Sequence, residues 1–305
     1  MQDSRTPVGL IGLGLIGTAL AQRLLGAGFA VVGTDIAADA RARLAGLGGT
    51  AVDTVAEIAR RCERVLIAVF NSDQVESVIE GEGGILSVDP ASRRTTLVLN
   101  FATCDPDRMV ALAARLAPSG LGFLETPLSG ASDQVARGEA VCLVGGEPAA
   151  LDAARDIVAA VCAKSFHLGP VGNGAKAKLA TNLILGLNRA ALAEGLVYAD
   201  LLGLPLDAFF EAARNSAAYS QAMDVKGRKM IARDFATAGK VSQSAKDFAL
   251  ILGTAREHGQ ALPFAAAYAE AMAGCIAAGE GDWDNSAIIE HVRRQRTRGV
   301  KRHDR

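Results

Sequence analysis

The sequence predicts an α/β chain in two parts. A doubly wound, mostly parallel sheet fills the first half, and the second half is all helical. Three observations carry this. Short apolar runs alternate with helix-period segments from Val8 to Val161. A glycine-rich turn follows the first of those runs. After Gly169-Pro170 strand signals nearly vanish, and a long stretch rich in Ala and Leu begins.

The predicted strands are Val8–Ile11, Ala30–Thr34, Val65–Val69, Thr96–Leu99, Gly122–Glu125 and Val141–Val144. Helical patterns fall between most of them, at Ala56–Arg61, Asp107–Leu116 and Ala149–Val161. The last two strands follow one another closely, so that edge of the sheet is expected to be mixed. From Gly174 to about Leu202 the pattern is one helix, which at ~1.5 Å per residue spans ~45 Å and suits a spine between two domains. Further helices are expected at Leu206–Arg214, Ser220–Ile231, Ser242–His258 and Pro263–Ala278, with Gly203, Gly259 and Gly279 at their stops. Phe209, Phe210 and Tyr219 are expected to pack in a core, and Trp283 against a neighbouring helix. The basic end, Arg293–Arg305, reads as a solvated tail.

Composition narrows the function. Formal net charge is −1, so there is no global basic field for nucleic acid. The five cysteines have no C-x-x-C spacing and suit buried thiols in a reducing compartment. The four histidines are scattered, so no metal site is expected. No apolar run reaches membrane-spanning length, and the N-terminus lacks a signal-peptide pattern. A cytoplasmic location follows as the expectation.

The run GLIGLGLIGTAL, residues 9–20, holds Gly12, Gly14 and Gly17 as G-x-G-x-x-G. Among 33 glycines the string alone is weak, but an apolar strand precedes it and a helix pattern follows. In that setting Gly12 makes the tight turn, Gly14 admits a pyrophosphate, and Gly17 lets helix and strand pack closely. Leu13, Leu15 and Ile16 complete the loop, and the helix N-terminus offers N–H groups to the phosphates. This is a Rossmann-type arrangement. Asp35 ends the second apolar run, where a carboxylate takes the adenosine ribose hydroxyls and repels a 2′-phosphate. Ile36, Ala37 and Ala38 follow it instead of an arginine, so NAD is preferred to NADP. Asp35 also suits a cap on the helix starting near Ala37, and Arg41 and Arg43 remain within reach of a phosphate. The expected domains are 1–168 for the dinucleotide and 169–305 for substrate and dimerisation.

The run GNGAKAKLATN, residues 172–182, opens the long helix with Lys178 and Asn182 four apart on one face. A lysine can give a proton to an alkoxide or take one from a hydroxyl when burial or nearby positive charge, such as Lys176, lowers its pKa. An asparagine can hold the same oxygen. Taken alone, the pair fits a solvated helix face equally well.

Four ordered blocks give the chain a resemblance to the β-hydroxyacid dehydrogenase family. They are GLGLIG, then ETPLSGA at 125–131 with GEAVCLVGG at 138–146, then GPVGNGAKAKLATN, and KDFALILGTAREHGQALP from Lys246. The resemblance implies a catalytic Lys178 and a substrate-holding Asn182. It implies a carboxylate-binding loop at Ser129, Gly130 and Ala131, and a Lys246-Asp247 pair near substrate and cofactor. Asn71, Ser72 and Thr103 fall where the family's chain passes the cofactor, with Asn71-Ser72-Asp73 as the loop. The implied substrate is a small β-hydroxy acid or its semialdehyde, bound in a cleft between the domains. A homodimer or homotetramer is expected from Ala-rich helices such as Pro263–Ala278. Departures are Ala131 for the family's usual Gly, Asn100 and Ala102 for Asp and Ser, Thr181 for Asn, and the polar run Val241-Ser242-Gln243-Ser244, expected to face substrate. Two alternatives remain. Imine-reducing relatives generally lack the lysine, and non-catalytic chromatin-associated relatives have lost it.

Overall fold

The structure is a computed structural model, and it describes residues 6–296. Residues 297–305 of the basic stretch therefore lie outside the described residues. The chain divides into two compact units, Met1–Ala180 and Thr181–Arg305. The division falls inside the helix Asn173–Leu201.

The first unit is built on six parallel strands: β1 (Val8–Ile11), β2 (Val31–Thr34), β3 (Thr50–Ala51), β4 (Arg64–Ile67), β5 (Leu97–Asn100) and β6 (Gly122–Glu125). Their order is β3-β2-β1-β4-β5-β6. The order reverses beside β1, which creates the crevice where such sheets bind ligands.

Alternation along each strand explains why both faces are covered. Leu10, Leu66 and Leu99 face one layer, with Leu20 and Leu24 of the helix Leu15–Gly26 and Ile157 of the helix Pro148–Val161. Ile11, Val65, Ile67 and Val98 face the other, with Ile58, Val75 and Leu112 from three further helices. Each such side chain, fully buried, contributes about 1.5–3 kcal/mol. Polar caps fix where those helices begin. Thr54 and Glu57 exchange hydrogen bonds ahead of Val55–Arg61, and Asp105 accepts from the Asp107 and Arg108 N–H groups ahead of Pro106–Leu116.

The late strands do not continue this sheet. β7 (Leu128–Ser129), β8 (Val141–Val144) and β9 (Lys164–His167) form a separate three-stranded sheet. Its β7–β8 pair is antiparallel and its β8–β9 pair parallel. The expected mixed edge is thus a second sheet, joined to β6 by a bridge between Glu125 and Gly145. The apolar run of β8 signals burial but not which strand it pairs with.

The second unit is helical, and its described residues pair as β only at the bridge between Lys240 and Asp284. Phe210, Phe248, Tyr268 and Met272 form part of its interior. Helices occur at Leu206–Arg214, Val241–Glu257 and Pro263–Ala277, close to expectation. The stretch expected as one helix over Ser220–Ile231 differs. It contains a π-helical turn, Met223–Gly227, before Arg228–Ala232. Lys226 in that turn is buried and bonds both oxygens of Asp284 at 2.8 Å.

One aromatic expectation is corrected. Tyr219 is 51% exposed, and its hydroxyl donates to Asp224 at 2.6 Å, so it is a surface group. Trp283 stacks on Phe235, outside any helix, with ring centroids 5.4 Å apart. All five cysteines are buried free thiols. Among the described residues no helix is long and apolar enough to cross a membrane, and no acidic, cysteine or histidine cluster suits a metal.

Candidate active site

The glycine loop leaves β1 and enters the helix Leu15–Gly26. Gly12 has φ +91°, and a Cβ there would sit 2.5 Å from the Ala68 carbonyl oxygen. A Cβ on Gly17 would collide with the Gly12 carbonyl. These two glycines are therefore needed by the protein's own packing. Gly14 differs, since a Cβ on it would meet nothing within 4 Å. It fronts open space at the positive end of the helix, where the first-turn N–H groups of Leu15, Ile16 and Gly17 have no partner within the helix. That cradle fits a pyrophosphate.

Asp35 follows β2. Its carboxylate accepts from the Leu13 N–H at 2.6 Å and from the Ala37 N–H at 2.9 Å. It therefore braces the glycine loop, and the cap expected of it is not formed: the helix Ala38–Gly46 has Ala37 at its N-cap and no side-chain capping bond. A carboxylate has about four acceptor positions, so capacity remains for ribose hydroxyls. Leu13 spends its amide on Asp35. Arg41 donates to the Asp35 carbonyl at 2.6 Å and pairs with Asp53 at 3.4 Å. Arg43 is exposed.

The turns after β4 and β5 hold Asn71, Ser72 and Thr103. Asn71 accepts from the Gln74 N–H at 2.9 Å, and the Gln74 side chain accepts from the Phe70 N–H at 2.8 Å. Buried Ser72 accepts from the Asp105 N–H at 3.0 Å, which ties the two turns together. Thr103 is buried. Asn100 is also buried, and its side-chain Oδ1 accepts from the Ala102 N–H at 3.0 Å. Ala102 packs in the apolar layer with Ile67 and Val98.

The lysine end of the first unit is tightly organised. β7 leads through Gly130, at φ +153°, to Ala131 and the helix Ser132–Arg137. The Ala131 N–H donates to the Gln134 side chain at 2.9 Å, and Ser129 pairs with Val141 in the β7–β8 ladder, so two of the three N–H groups read as anion donors are already occupied. Lys178, half-buried, donates to the Leu128 carbonyl at 2.6 Å. Lys176 is exposed, two residues away on the same helix.

Sequence reasoning passed over one residue here. Glu125, the last of β6, is 1% exposed. Its Oε2 accepts from the Gly172 N–H at 2.6 Å and the Gly174 N–H at 3.1 Å. Burial pushes its carboxyl up to about 7, against those N–H groups and Lys176, which favour the charge. The available signal was an acid closing an apolar run, Phe123-Leu124-Glu125, where strand ends are buried.

In the second unit Asn182 donates to Asp247 Oδ2 at 2.8 Å, and Lys246 lies 3.0 Å from Asp247 Oδ1. Asp247 is buried, so this is no surface pair. Ser244 belongs to the polar run expected to face substrate. It is buried and accepts from the Asn285 side chain at 3.0 Å, because its helix turns that face into the core. Lys178 and Asn182 stand one turn apart on the helix Asn173–Leu201.

Residues 7–169 match the NAD-binding domain of 6-phosphogluconate dehydrogenase, and residues 172–292 match the NAD-binding domain of NADP-dependent 3-hydroxyisobutyrate dehydrogenase. An L-threonate dehydrogenase of Cupriavidus necator is 34% identical, over 93% of this chain and 95% of its own. A 2-(hydroxymethyl)glutarate dehydrogenase of Eubacterium barkeri is 29% identical, over 93% of each chain. The crystal structure of a 3-hydroxyisobutyrate dehydrogenase from Salmonella typhimurium superimposes with a TM-score of 0.83 at 28% identity, over 93% of this chain and 98% of that one. The chain belongs to the β-hydroxyacid dehydrogenase family of NAD(P)-dependent oxidoreductases.

Proposed function

We propose that the protein oxidises a small β-hydroxy acid with NAD, or reduces the matching semialdehyde, and that Lys178 moves the proton. The observation that carries this is the Lys178 ammonium, 2.6 Å from the Leu128 carbonyl beside the loop Ser129–Ala131. A nicotinamide held at the glycine loop would supply the hydride acceptor or donor. In oxidation a neutral Lys178 amine takes the hydroxyl proton as the carbonyl forms, and in reduction its ammonium returns a proton to the alkoxide. The Gly130 N–H serves the substrate carboxylate, with the Ser129 N–H held in the β7–β8 ladder and Ala131 already engaged by Gln134. The same reading assigns Asn182, Lys246 and Asp247 to holding substrate.

Two observations support NAD over NADP. Asp35 keeps its carboxylate at the end of β2, and the nearest arginine in sequence, Arg41, is committed to the Asp35 backbone and Asp53. The ratio of kcat/KM with the two cofactors checks this, and a preference for NADP would reverse the reading. The names of the relatives suggest a first panel of L-threonate, 2-(hydroxymethyl)glutarate and 3-hydroxyisobutyrate. A cytoplasmic homodimer or homotetramer remains part of the proposal.

Lys178→Ala tests the central claim. Turnover on the best acid should fall on the order of 10²–10⁴-fold, the usual worth of a general acid–base group. NAD affinity, measured by titration, should stay within about twofold, because the glycine loop is untouched. A variant that keeps the full rate removes Lys178 from the mechanism.

A further inference from the structure

Two hydrogen-bonded contacts tie the segment 125–128 to the opening of the long helix. At one, the Glu125 carboxylate accepts from the Gly172 and Gly174 N–H groups. At the other, Lys178 donates to the Leu128 carbonyl. The first contact lies at the helix N-terminus and the second one turn further on. No room is left for slack at the first. A Cβ on Gly174 would sit 2.8 Å from the Glu125 Cβ, and one on Gly145 would sit 2.5 Å from Glu125 Oε2.

We infer that Glu125 is a positioning residue: by accepting those two N–H groups, its carboxylate fixes the first turn of the helix Asn173–Leu201, and with it the place of the Lys178 ammonium against Leu128 and the neighbouring loop. This rests on the proton-transfer role proposed for Lys178, and it assigns Glu125 no contact with substrate or cofactor.

The chemistry of the carboxylate makes the clamp sensitive to protons. Oε2 carries the hydrogen bonds, while Oε1 is buried with no hydrogen-bond partner. A proton can therefore be taken on Oε1 without displacing the helix contacts. It weakens them, because N–H bonds to an ionised acceptor are roughly twice as strong as neutral ones. Charged groups on the surrounding elements are few. The long helix contributes Lys176 and Lys178. β9 ends at His167, whose ring bonds the Gly146 carbonyl at 2.7 Å, and Glu147 follows that glycine, exposed. β5 presents the neutral amide of Asn100 at the position paired with Glu125. With its carboxyl at about 7, Glu125 passes from slack to taut as the pH rises through neutrality.

The test substitutes Glu125→Gln, which keeps the size and an acceptor oxygen but removes the charge. With a saturating hydroxy acid and NAD, kcat at about pH 8 should fall roughly tenfold, while KM for NAD stays within about twofold. The limb of the wild-type kcat profile near neutrality should disappear. A folded variant with wild-type kcat and profile overturns the inference.

A second measurement needs no turnover. Lys178 is acetylated with acetic anhydride and quantified by peptide mass spectrometry relative to exposed Lys176. The variant-to-wild-type ratio should be near 1 at about pH 6 and rise about threefold or more by about pH 8, where only the wild type is charged. A ratio of 1 at both values overturns the positioning role, whatever the rates show. If the wild type oxidises no hydroxy acid, the activity reading fails and the labelling alone decides the role of Glu125. If Glu125→Gln does not fold, the wild type decides it. Its Lys178-to-Lys176 labelling should then fall about threefold from about pH 6 to about pH 8, and an unchanged ratio overturns the inference.

Discussion

Glu125 and Asp284 are both buried carboxylates, one in each unit, and they are handled in opposite ways. Asp284 meets a full cation: Lys226 bonds both its oxygens at 2.8 Å. The N–H groups of Ala238, Gly239 and Ser286 also reach it, at 3.0–3.2 Å. Burial alone would raise its carboxyl, yet Lys226 and those N–H groups bring it down to about 2. Glu125 meets only backbone dipoles and a distant exposed Lys176, so burial wins and its carboxyl rises to about 7. A buried acid matched by a cation stays ionised at any working pH and acts as a fixed joint. One matched by partial charges stays poised to titrate. The second kind stands at the start of the helix that carries Lys178.

The sharpest way to break this contrast is Asp284→Asn. The substitution leaves the buried Lys226 ammonium without its counter-ion. Removing one partner of a buried pair costs about 3–5 kcal/mol, more than any single change expected at Glu125. Urea unfolding of the variant reads this as a lower midpoint at unchanged slope. A loss under about 1 kcal/mol would show that the pair is solvated and that the two acids are alike.

The sequence displayed the site's frame but not its wiring. Three strands, Val8–Ile11, Gly122–Glu125 and Val141–Val144, have the bounds their apolar runs predict, and the glycine turn sits where expected. Those signals are local, since hydrophobic period and glycine spacing are read along the chain. Partner choice is not local, and so β8 left the main sheet for its own. β9 was invisible because all four of its residues, Lys164–His167, are exposed and carry no apolar alternation. The π-helical turn was also hidden, because one extra residue per turn barely disturbs a helical pattern over so short a span. Glu125 lay inside a block already read for its serine and glycines. Only the crossing of residue 125 with residues 172–174, nearly fifty positions on, shows which way its carboxylate turns.

The pH dependence of stability sharpens the contrast most finely, because the two acids contribute with opposite sign. Folding raises the Glu125 carboxyl from 4.5 to about 7, so the folded state binds its proton more tightly than the unfolded chain. Its contribution is therefore full below about pH 4.5 and is lost as the pH rises to about 7. The loss is at most about 3 kcal/mol, because one unit is worth 1.36 kcal/mol. Folding lowers the Asp284 carboxyl from 3.8 to about 2, so its contribution is full above about pH 3.8 and is lost as the pH falls toward 2. The two windows do not overlap, and one variant isolates the first. The unfolding free energy of wild type minus that of Glu125→Gln should decline between about pH 4.5 and 7 and stay level above it. Parallel curves across that window would mean that the Glu125 carboxyl titrates where an exposed one does. The backbone N–H groups of Gly172, Gly174 and Ala175 would then offset the whole cost of its burial.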